Sequence, residues 1–291
     1  MTWFTVLPFA LMAVLSAVLG RVPLPLHPVW CARVLATTAG MTAVAALGTG
    51  FFVAVNYAAT LAPAAAARLP EWALFGDDRP VPDVVGVPSV LLSAAGLAVA
   101  GRTAVRWVRE LRAARDGAGR VLETGVPMAV AVPGRGGGVL VSRGLLRGLS
   151  AEELRVVFEH EGSHLRHRHH RYLAAGAVAA ALLPLRRLDG ALRLAVERWA
   201  DEDAAEAVGD RALVARTIAK VALAQPAAPG PVPGFADSGV VRRVEALLGA
   251  PPARNAVAGP LLFLGDALFT GSLAAAALQL DHAVAALPPV W

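Results

Sequence analysis

The chain carries one cysteine, Cys31, in 291 residues. An internal disulfide is therefore excluded, and so is a zinc site built from cysteine thiolates. Lysine is almost missing too: of 27 basic residues, all but Lys220 are arginine. Charged residues make up only 17% against 56% hydrophobic, and the mean hydropathy is +0.55. Such a composition excludes an ordinary soluble domain. The net charge of +5 does not point to a nucleic-acid partner, because the arginines mostly flank apolar runs, as membrane-anchoring charges do. Heavy use of Arg, Ala, Gly and Pro with almost no Lys matches the codon bias of a GC-rich bacterium.

What the chain does have is long apolar runs. Residues 3–20 are uncharged and just long enough to span a bilayer, with Arg21 as the stop. No basic residue precedes them, so the run lacks the n-region of a signal peptide and reads as a retained membrane helix, with a cleaved leader as the alternative. After a Pro-rich link, Val22 to Val29, no charge occurs from Val34 to Ala67. A second span is expected over 34–60, with Pro63 ending the regular helix. A third is expected over 84–101, and Arg102, Arg106, Arg109, Arg112 and Arg115 continue the same helix. The positive-inside rule puts that arginine block, Arg21 and Arg33 in the cytoplasm, and the acidic stretch Leu69–Asp83 and the amino terminus outside. A fourth span, 256–280, is interrupted by Asp266. A carboxylate there is costly and marks a functional site by default; the alternative is a bundle-facing group, protonated or bonded to Thr270 or Ser272.

Between the third and fourth spans lies Glu159-His160-Glu161-Gly162-Ser163-His164, which contains His-Glu-x-x-His. Two imidazoles four residues apart on a helix point the same way, about one turn apart. One zinc ion can then take both, with Glu161 beside it as general base. Ser150-Ala151-Glu152-Glu153 is a capping box that starts the helix. Ahead of it, Pro127–Val132 and Val139–Ser142 alternate small and branched residues around a Gly-rich turn, which predicts a β-hairpin. Strand Met128, Ala129 and Val130 is either an edge that holds extended substrate or an ordinary covered strand. Further helices are expected over Tyr172–Leu185, buried or lying at the membrane interface, then Leu188–Val208, closed by Gly209, then one capped by Asp210, and a short one around Val240–Leu248.

A zinc protease site needs a third protein ligand and one open position. His170 has the spacing of the extended motif His-Glu-x-x-His-x-x-Gly-x-x-His, but His167 stands where that motif needs Gly to turn the chain. Glu197, in Glu197-Arg198-Trp199-Ala200-Asp201, offers a carboxylate from a following helix and is favoured. Asp201, one turn on, can accept a hydrogen bond from a ligand imidazole and fix its tautomer. His167, His169 and His170, mixed with arginines, read as a solvated or headgroup-facing helix end. Glu202, Asp203 and Glu206 read as a polar helix face, and Glu159 as a surface carboxylate.

Ser142-Arg143-Gly144-Leu145-Leu146, Leu149 to Leu154, the His-Glu-x-x-His and the later Glu-x-x-Ala-Asp resemble the integral-membrane gluzincins. These include the HtpX and CAAX prenyl protease group and, closer in layout, the metallopeptidase of β-lactam-sensing antirepressors. The resemblance implies His160, His164 and Glu197 as zinc ligands, Glu161 as base and Asp201 as a partner behind a ligand. Arg243-Val244-x-x-Leu247 resembles a late family segment, which makes Arg243 an oxyanion or substrate contact. The Thr-His-Pro segment of some members is replaced by Phe235-Ala236-Asp237-Ser238, and no penicillin-binding domain follows the last span, so β-lactam sensing is not inherited.

The fold class expected is therefore mainly α, a multi-pass membrane protein of about four transmembrane helices. A zincin-like α+β metalloprotease domain, a small β-hairpin plus the motif helix, lies between the third and fourth. The expected division is a membrane region over 1–101, a zinc metallopeptidase domain over 102–254 and a last span with a short tail over 255–291. The expected function is zinc-dependent endopeptidase, one Zn²⁺ per chain, acting on a protein or peptide at the cell membrane, with the zinc domain cytoplasmic. Two alternatives are a sensor or antirepressor whose zinc domain acts on one regulatory protein, and a silent zinc-stabilised scaffold. Glu161 argues against the scaffold, since a structural site needs a fourth ligand in place of a base.

Overall fold

The computed structural model of the protein describes residues 6–68, 80–116, 121–134, 137–224 and 235–269. Helix α1 covers Leu7–Leu19 and α2 covers Pro28–Leu61. The second helix starts six residues before Val34 because Pro28 occupies its first turn, where a missing N–H costs no hydrogen bond. It stops at Leu61, and a single turn, α3 (Pro63–Ala66), follows Pro63 as expected. Helix α4, Asp83–Asp116, carries the expected third span and the arginine block as one piece.

Helices α2 and α4 are long and apolar enough to cross a membrane. Helix α1 is shorter: 13 residues rise about 20 Å against a hydrocarbon thickness of about 30 Å. Residues 3–5 of the expected first span lie outside the described residues, as do most of the acidic stretch before Asp83 and residues 270–280 of the fourth span. The α2–α4 contact is close, since a Cβ on Gly86 would collide with the Tyr57 ring, which is how small residues let membrane helices approach.

The remaining elements are β1 (Val121–Leu122), β2 (Ala129–Val132), β3 (Gly138–Ser142), α5 (Arg143–Gly148), α6 (Ala151–Arg166), α7 (His169–Leu182), α8 (Arg186–Val208), α9 (Arg211–Leu223) and α10 (Phe235–Leu248). A last apolar helix, α11, spans Ala258–Phe269. The expected hairpin is present, with Ala129 opposite Val141 and Val132 opposite Gly138. Strand β1, which the sequence pattern did not reveal, pairs parallel to β3 and gives the order β1-β3-β2. Strand β2 is thus an edge, and it lies against α6.

Both halves of the capping box form at α6: Ser150 Oγ accepts from Glu153 N at 3.2 Å, and Glu153 Oε2 accepts from Ser150 N at 2.8 Å. A cap of this kind stabilises a helix by about 1 kcal/mol. Gly209 closes α8 with φ 78°, and Asp210 caps α9 through Leu213 N. Between α6 and α7, Arg168 takes a left-handed φ of 55°. That kink turns the chain back and starts α7 at His169, three residues before Tyr172.

One cluster of buried residues joins Ala32, Leu35 and Ala39 of α2 to Ala179 of α7 and to Leu188, Leu192, Val196 and Trp199 of α8. A second joins Val156 of α6, Ala204 of α8, Val214 of α9 and Leu247 of α10. Helix α8 belongs to both, so one rod ties the apolar helices to the motif helix.

Candidate metal centre

Helix α6 presents His160 and His164 toward α8, and α8 presents Glu197 and Asp201 one turn apart in return. The His160 and His164 Nε2 atoms are 3.2 Å apart. Glu197 Oε2 lies 3.5 Å from His160 Nε2, and Glu197 Oε1 lies 3.7 Å from His164 Nε2. Ligands about 2.0–2.1 Å from a tetrahedral zinc are separated from one another by roughly 3.3 Å. The three groups therefore stand at the corners an ion needs, and they form the His-His-carboxylate cluster able to hold a metal among the described residues. Two imidazole nitrogens and one carboxylate are a donor set that suits zinc, and three protein ligands leave a fourth position open.

Around these groups runs a charged frame. His160 Nδ1 is 3.0 Å from Asp201 Oδ1, off the axis of a linear hydrogen bond. Arg243 of α10 donates from Nε and Nη2 to the two Asp201 oxygens, each at 2.7 Å, and its Nη1 lies 3.0 Å from Glu197 Oε2. Asp201 is only 1% exposed, a burial that a carboxylate sustains only when paired. Desolvation raises the Glu197 and Asp201 carboxyls, but bonds to His160 and Arg243 outweigh it and hold both well below the carboxylate range. Burial likewise pulls His160 down, yet the Asp201 and Glu197 contacts carry it up to about 10. His164 goes the other way, to about 4, through burial and the charge of its neighbour His160. These directions favour the imidazolium form of His160 and the neutral imidazole form of His164.

Glu161 is pushed up to about 6, chiefly by burial. Its Oε2 accepts from Ala131 N of β2 at 2.8 Å. The carboxylate is therefore fixed between the motif helix and the edge strand. A cleft of about 230 Å³ lies in front, lined by Ala129, Val157, His160, Glu161, Thr217 and Arg243 among others. Met128 and Val130 flank Ala129 and are exposed.

Several residues stand elsewhere than their sequence context suggested. His169 is not part of a solvated helix end: it is completely buried, and its Nδ1 lies 2.9 Å from His164 Nδ1. It packs on the rings of Trp199 and Tyr172. The left-handed Arg168 is the reason, because it folds the His-rich segment back over the motif helix. Asp203 is likewise no mere polar face, since it accepts from Ser163 Oγ at 2.7 Å and lies 2.9 Å from His167 Nε2. Glu202 pairs with Arg211, whereas Glu206 pairs with Arg254 at the surface. Glu159 meets Arg166 on the exposed side of α6. His170 is not among the clustered ligand groups. Asp266 of α11 lies far from the motif in sequence and bonds to α2: Thr38 Oγ1 donates to it at 3.1 Å. Its alternative partners Thr270 and Ser272 lie outside the described residues.

No curated protein and no solved structure matches this chain. The sequence profile of Peptidase family M48 does match, over residues 106–188. The matched stretch contains the hairpin and the whole His-Glu-x-x-His helix and ends before Glu197. It supports a metallopeptidase of family M48, with the zinc-dependent proteolysis that family implies.

Proposed function

We propose that the protein is a membrane-embedded zinc endopeptidase of the gluzincin type, with His160, His164 and Glu197 as ligands and Glu161 as base. The observation that carries this reading is the convergence of two imidazoles and one carboxylate at tetrahedral spacing beside a half-buried carboxylate that faces a cleft. When bound, zinc supplies Lewis acidity to water and to the scissile carbonyl. Glu161, anchored at Oε2 by Ala131, keeps its second oxygen for the proton taken from water and later delivered to the leaving amine. Asp201 orients His160, and Arg243, which neutralises the two carboxylates and also lines the cleft, is a contact for the developing oxyanion. The edge of β2, Met128 to Val130, offers backbone groups to an extended peptide, pairing it as an added strand.

Embedding in the bilayer rests on α4. A core helix of a soluble protein is mostly covered, but Leu91, Leu92 and Leu97 of α4 are 64%, 72% and 56% exposed. So long an exposed apolar face calls for lipid around it. The arginines that end α4 then lie on the cytoplasmic side of the cell membrane, together with the zinc domain at 102–254. Helices α1 and α11 are the first and fourth members of a four-span arrangement, the layout that the resemblance to the integral-membrane gluzincins implies.

A second reading, a membrane sensor whose zinc domain acts on one regulatory protein, draws on a specific contact. The Arg33 guanidinium of α2 lies 4.5 Å from the Trp30 ring centre and 5.8 Å from that of Trp199. Trp199 touches His169, which touches His164, so a shift of α2 reaches a ligand through three side chains. Glu161→Gln tests the main reading: cleavage of an unfolded peptide should disappear while one zinc per chain remains. Loss of zinc in that variant, or undiminished cleavage, would refute Glu161 as base. Cleavage of a single regulator and of no unfolded peptide would favour the sensor.

A further inference from the structure

Helix α7 follows the motif helix in the chain, yet it packs on both long apolar helices, α2 and α4, as well as on α8. From Tyr172 to Leu185 no residue is charged, with Arg171 before the run and Arg186 after it. Such a run is too short to cross a bilayer, and it reads either as a core helix or as a segment that enters and turns back. Its neighbours decide between the two. Leu182, the last residue of α7, lies beside Gly96 of α4 and Leu47 of α2: a Cβ on Gly96 would stand 3.6 Å from Leu182 Cδ2 and 2.9 Å from Leu47 Cδ2. Leu47 is in the middle of the charge-free run over 34–60. Gly96 is six residues before Arg102, so Leu182 stands about 9 Å inside the cytoplasmic end of the α4 span.

The chain then comes back. Helix α7 ends as Leu183 turns extended, and Pro184, which has no N–H to leave unmade, occupies the bend. Leu185 N donates to Leu183 O at 2.7 Å, and Asp189 N to Leu185 O at 3.1 Å. At the start of α8 the backbone packs directly on Gly20, where a Cβ would come within 2.7 Å of Leu188 N. Gly20 precedes Arg21, the stop of the first apolar run. Between Leu182 and Leu188 the chain has thus returned from inside the span to its cytoplasmic edge.

We infer that α7 and the first turn of α8 form a re-entrant hairpin that dips about 10 Å into the cytoplasmic leaflet and leaves on the same side. This rests on the membrane reading above. Ala181 and Pro184 at the tip are exposed, and with Phe9 and Ala13 of α1 they line an open groove of about 930 Å³. Broken helix backbone is tolerated at membrane depth where it is packed in protein or lines a cavity open to water. Arg21, Arg186 and Arg187, which also line the groove, reach back to the headgroups on their long stems. Both arms of the hairpin lead to the metal centre. Helix α7 begins with His169, whose Nδ1 lies 2.9 Å from His164 Nδ1, and α8 reaches Glu197 nine residues after Leu188. At most about 14 Å along α8 separates Glu197 from the hydrocarbon edge, so the helices that build the metal centre also hold it against the bilayer.

The test is the depth of a fluorophore on full-length zinc-loaded protein in phosphatidylcholine vesicles that contain nitroxide lipids. A Cys31→Ser background takes one new cysteine at a time: Ala181→Cys at the tip, Leu91→Cys on the exposed face of α4, or Arg216→Cys on α9. Each is labelled with bimane and read against a nitroxide at the headgroup, high on the acyl chain or near the chain end. Leu91, eleven residues before Arg102, lies about 16 Å deep and should be quenched best by the deepest nitroxide. The Ala181 label should be quenched about twofold or more strongly by the nitroxide high on the acyl chain than by the headgroup nitroxide. The Arg216 label should be quenched by none of them. Zinc content and helical circular dichroism establish that a variant is folded, and Pro184→Cys serves as the tip site if Ala181→Cys does not fold. With Leu91 deep, a tip label quenched most by the headgroup nitroxide, or no more than the Arg216 label, would overturn the hairpin and leave the membrane reading standing. A Leu91 label that no nitroxide reaches refutes the membrane reading itself.

Discussion

Replacing His169 by Leu removes a group that touches neither substrate nor metal, and it should still weaken zinc binding. For His164 to offer its Nε2 lone pair toward the ion, its proton must sit on Nδ1. That N–H points at His169 Nδ1, 2.9 Å away, so His169 must be the acceptor and stay neutral. Its environment enforces this, since burial and the neighbouring His164 hold its pKa down to about 3. His169→Leu keeps most of the volume but leaves the His164 N–H buried and unmade, a cost of about 1–3 kcal/mol. The expected loss of zinc affinity is therefore about 5- to 150-fold, in the range found for groups behind metal ligands. Competition with a chromophoric chelator near neutral pH measures it. His169→Asn supplies the control, because its side-chain oxygen can take the place of Nδ1 and should restore most of the affinity. The reasoning fails if the folded Leu variant binds zinc like the wild type. It fails equally if Asn and Leu lose the same amount, since that would make His169 a packing residue only.

Three further outcomes follow from the same geometry. Glu197→Ala should empty the site of zinc while His170→Ala keeps one ion per chain, read by metal analysis of the purified proteins; the opposite pattern would remove Glu197 from the ligand set. Arg243→Ala leaves Asp201 buried without its partner, so the metal-free protein should lose about 3–5 kcal/mol of stability, read from denaturant unfolding in detergent; a loss below about 1 kcal/mol would show that the pair is solvated. Zinc binding should release one proton between pH 7 and 9, because His160, held up to about 10 by Asp201 and Glu197 against its burial, must give up its proton to bind. Affinity then falls about tenfold for each unit of pH lowered, and calorimetry in buffers of different ionisation enthalpy counts the proton.

The parts of the fold that were legible in the sequence are those set by local rules. The capping box, the turn chemistry of the hairpin, Gly209 and Asp210 each fix a boundary through one or two neighbouring residues, and all four appear where their residue types require. The apolar runs of α2 and α4 were equally plain, because absence of charge over many residues has few other causes. Strand β1 was not legible. Two residues give no alternation to detect, and its partner β3 stands about twenty positions away.

The His-rich segment was misread for a deeper reason. Alternating His and Arg from Arg166 to Arg171 has the composition of a solvated helix end, and on a continuous α6 it would have been one. A single left-handed residue, Arg168, breaks the helical phase, so that His167 and His169 swing back onto α6 and α8 while Arg166, Arg168 and Arg171 stay outside. Nothing in the residue types announces that kink, for Arg has no special tolerance of positive φ. What compensates the strain is visible only in three dimensions: His167 reaches Asp203, and His169 reaches His164. Asp203 in turn looked like surface because its partner Ser163 lies 40 positions earlier. The two imidazoles of α6 that we propose as ligands were thus visible as a pair from spacing alone, but the groups that hold α6 against α8 were not. Their types were ordinary, and only the path of the chain made them partners. The proposed third ligand sits between these cases: Glu197 was the favoured choice over His170, and it is the path of α8, joined to the apolar helices at one end and to α6 at the other, that brings its carboxylate beside the two imidazoles.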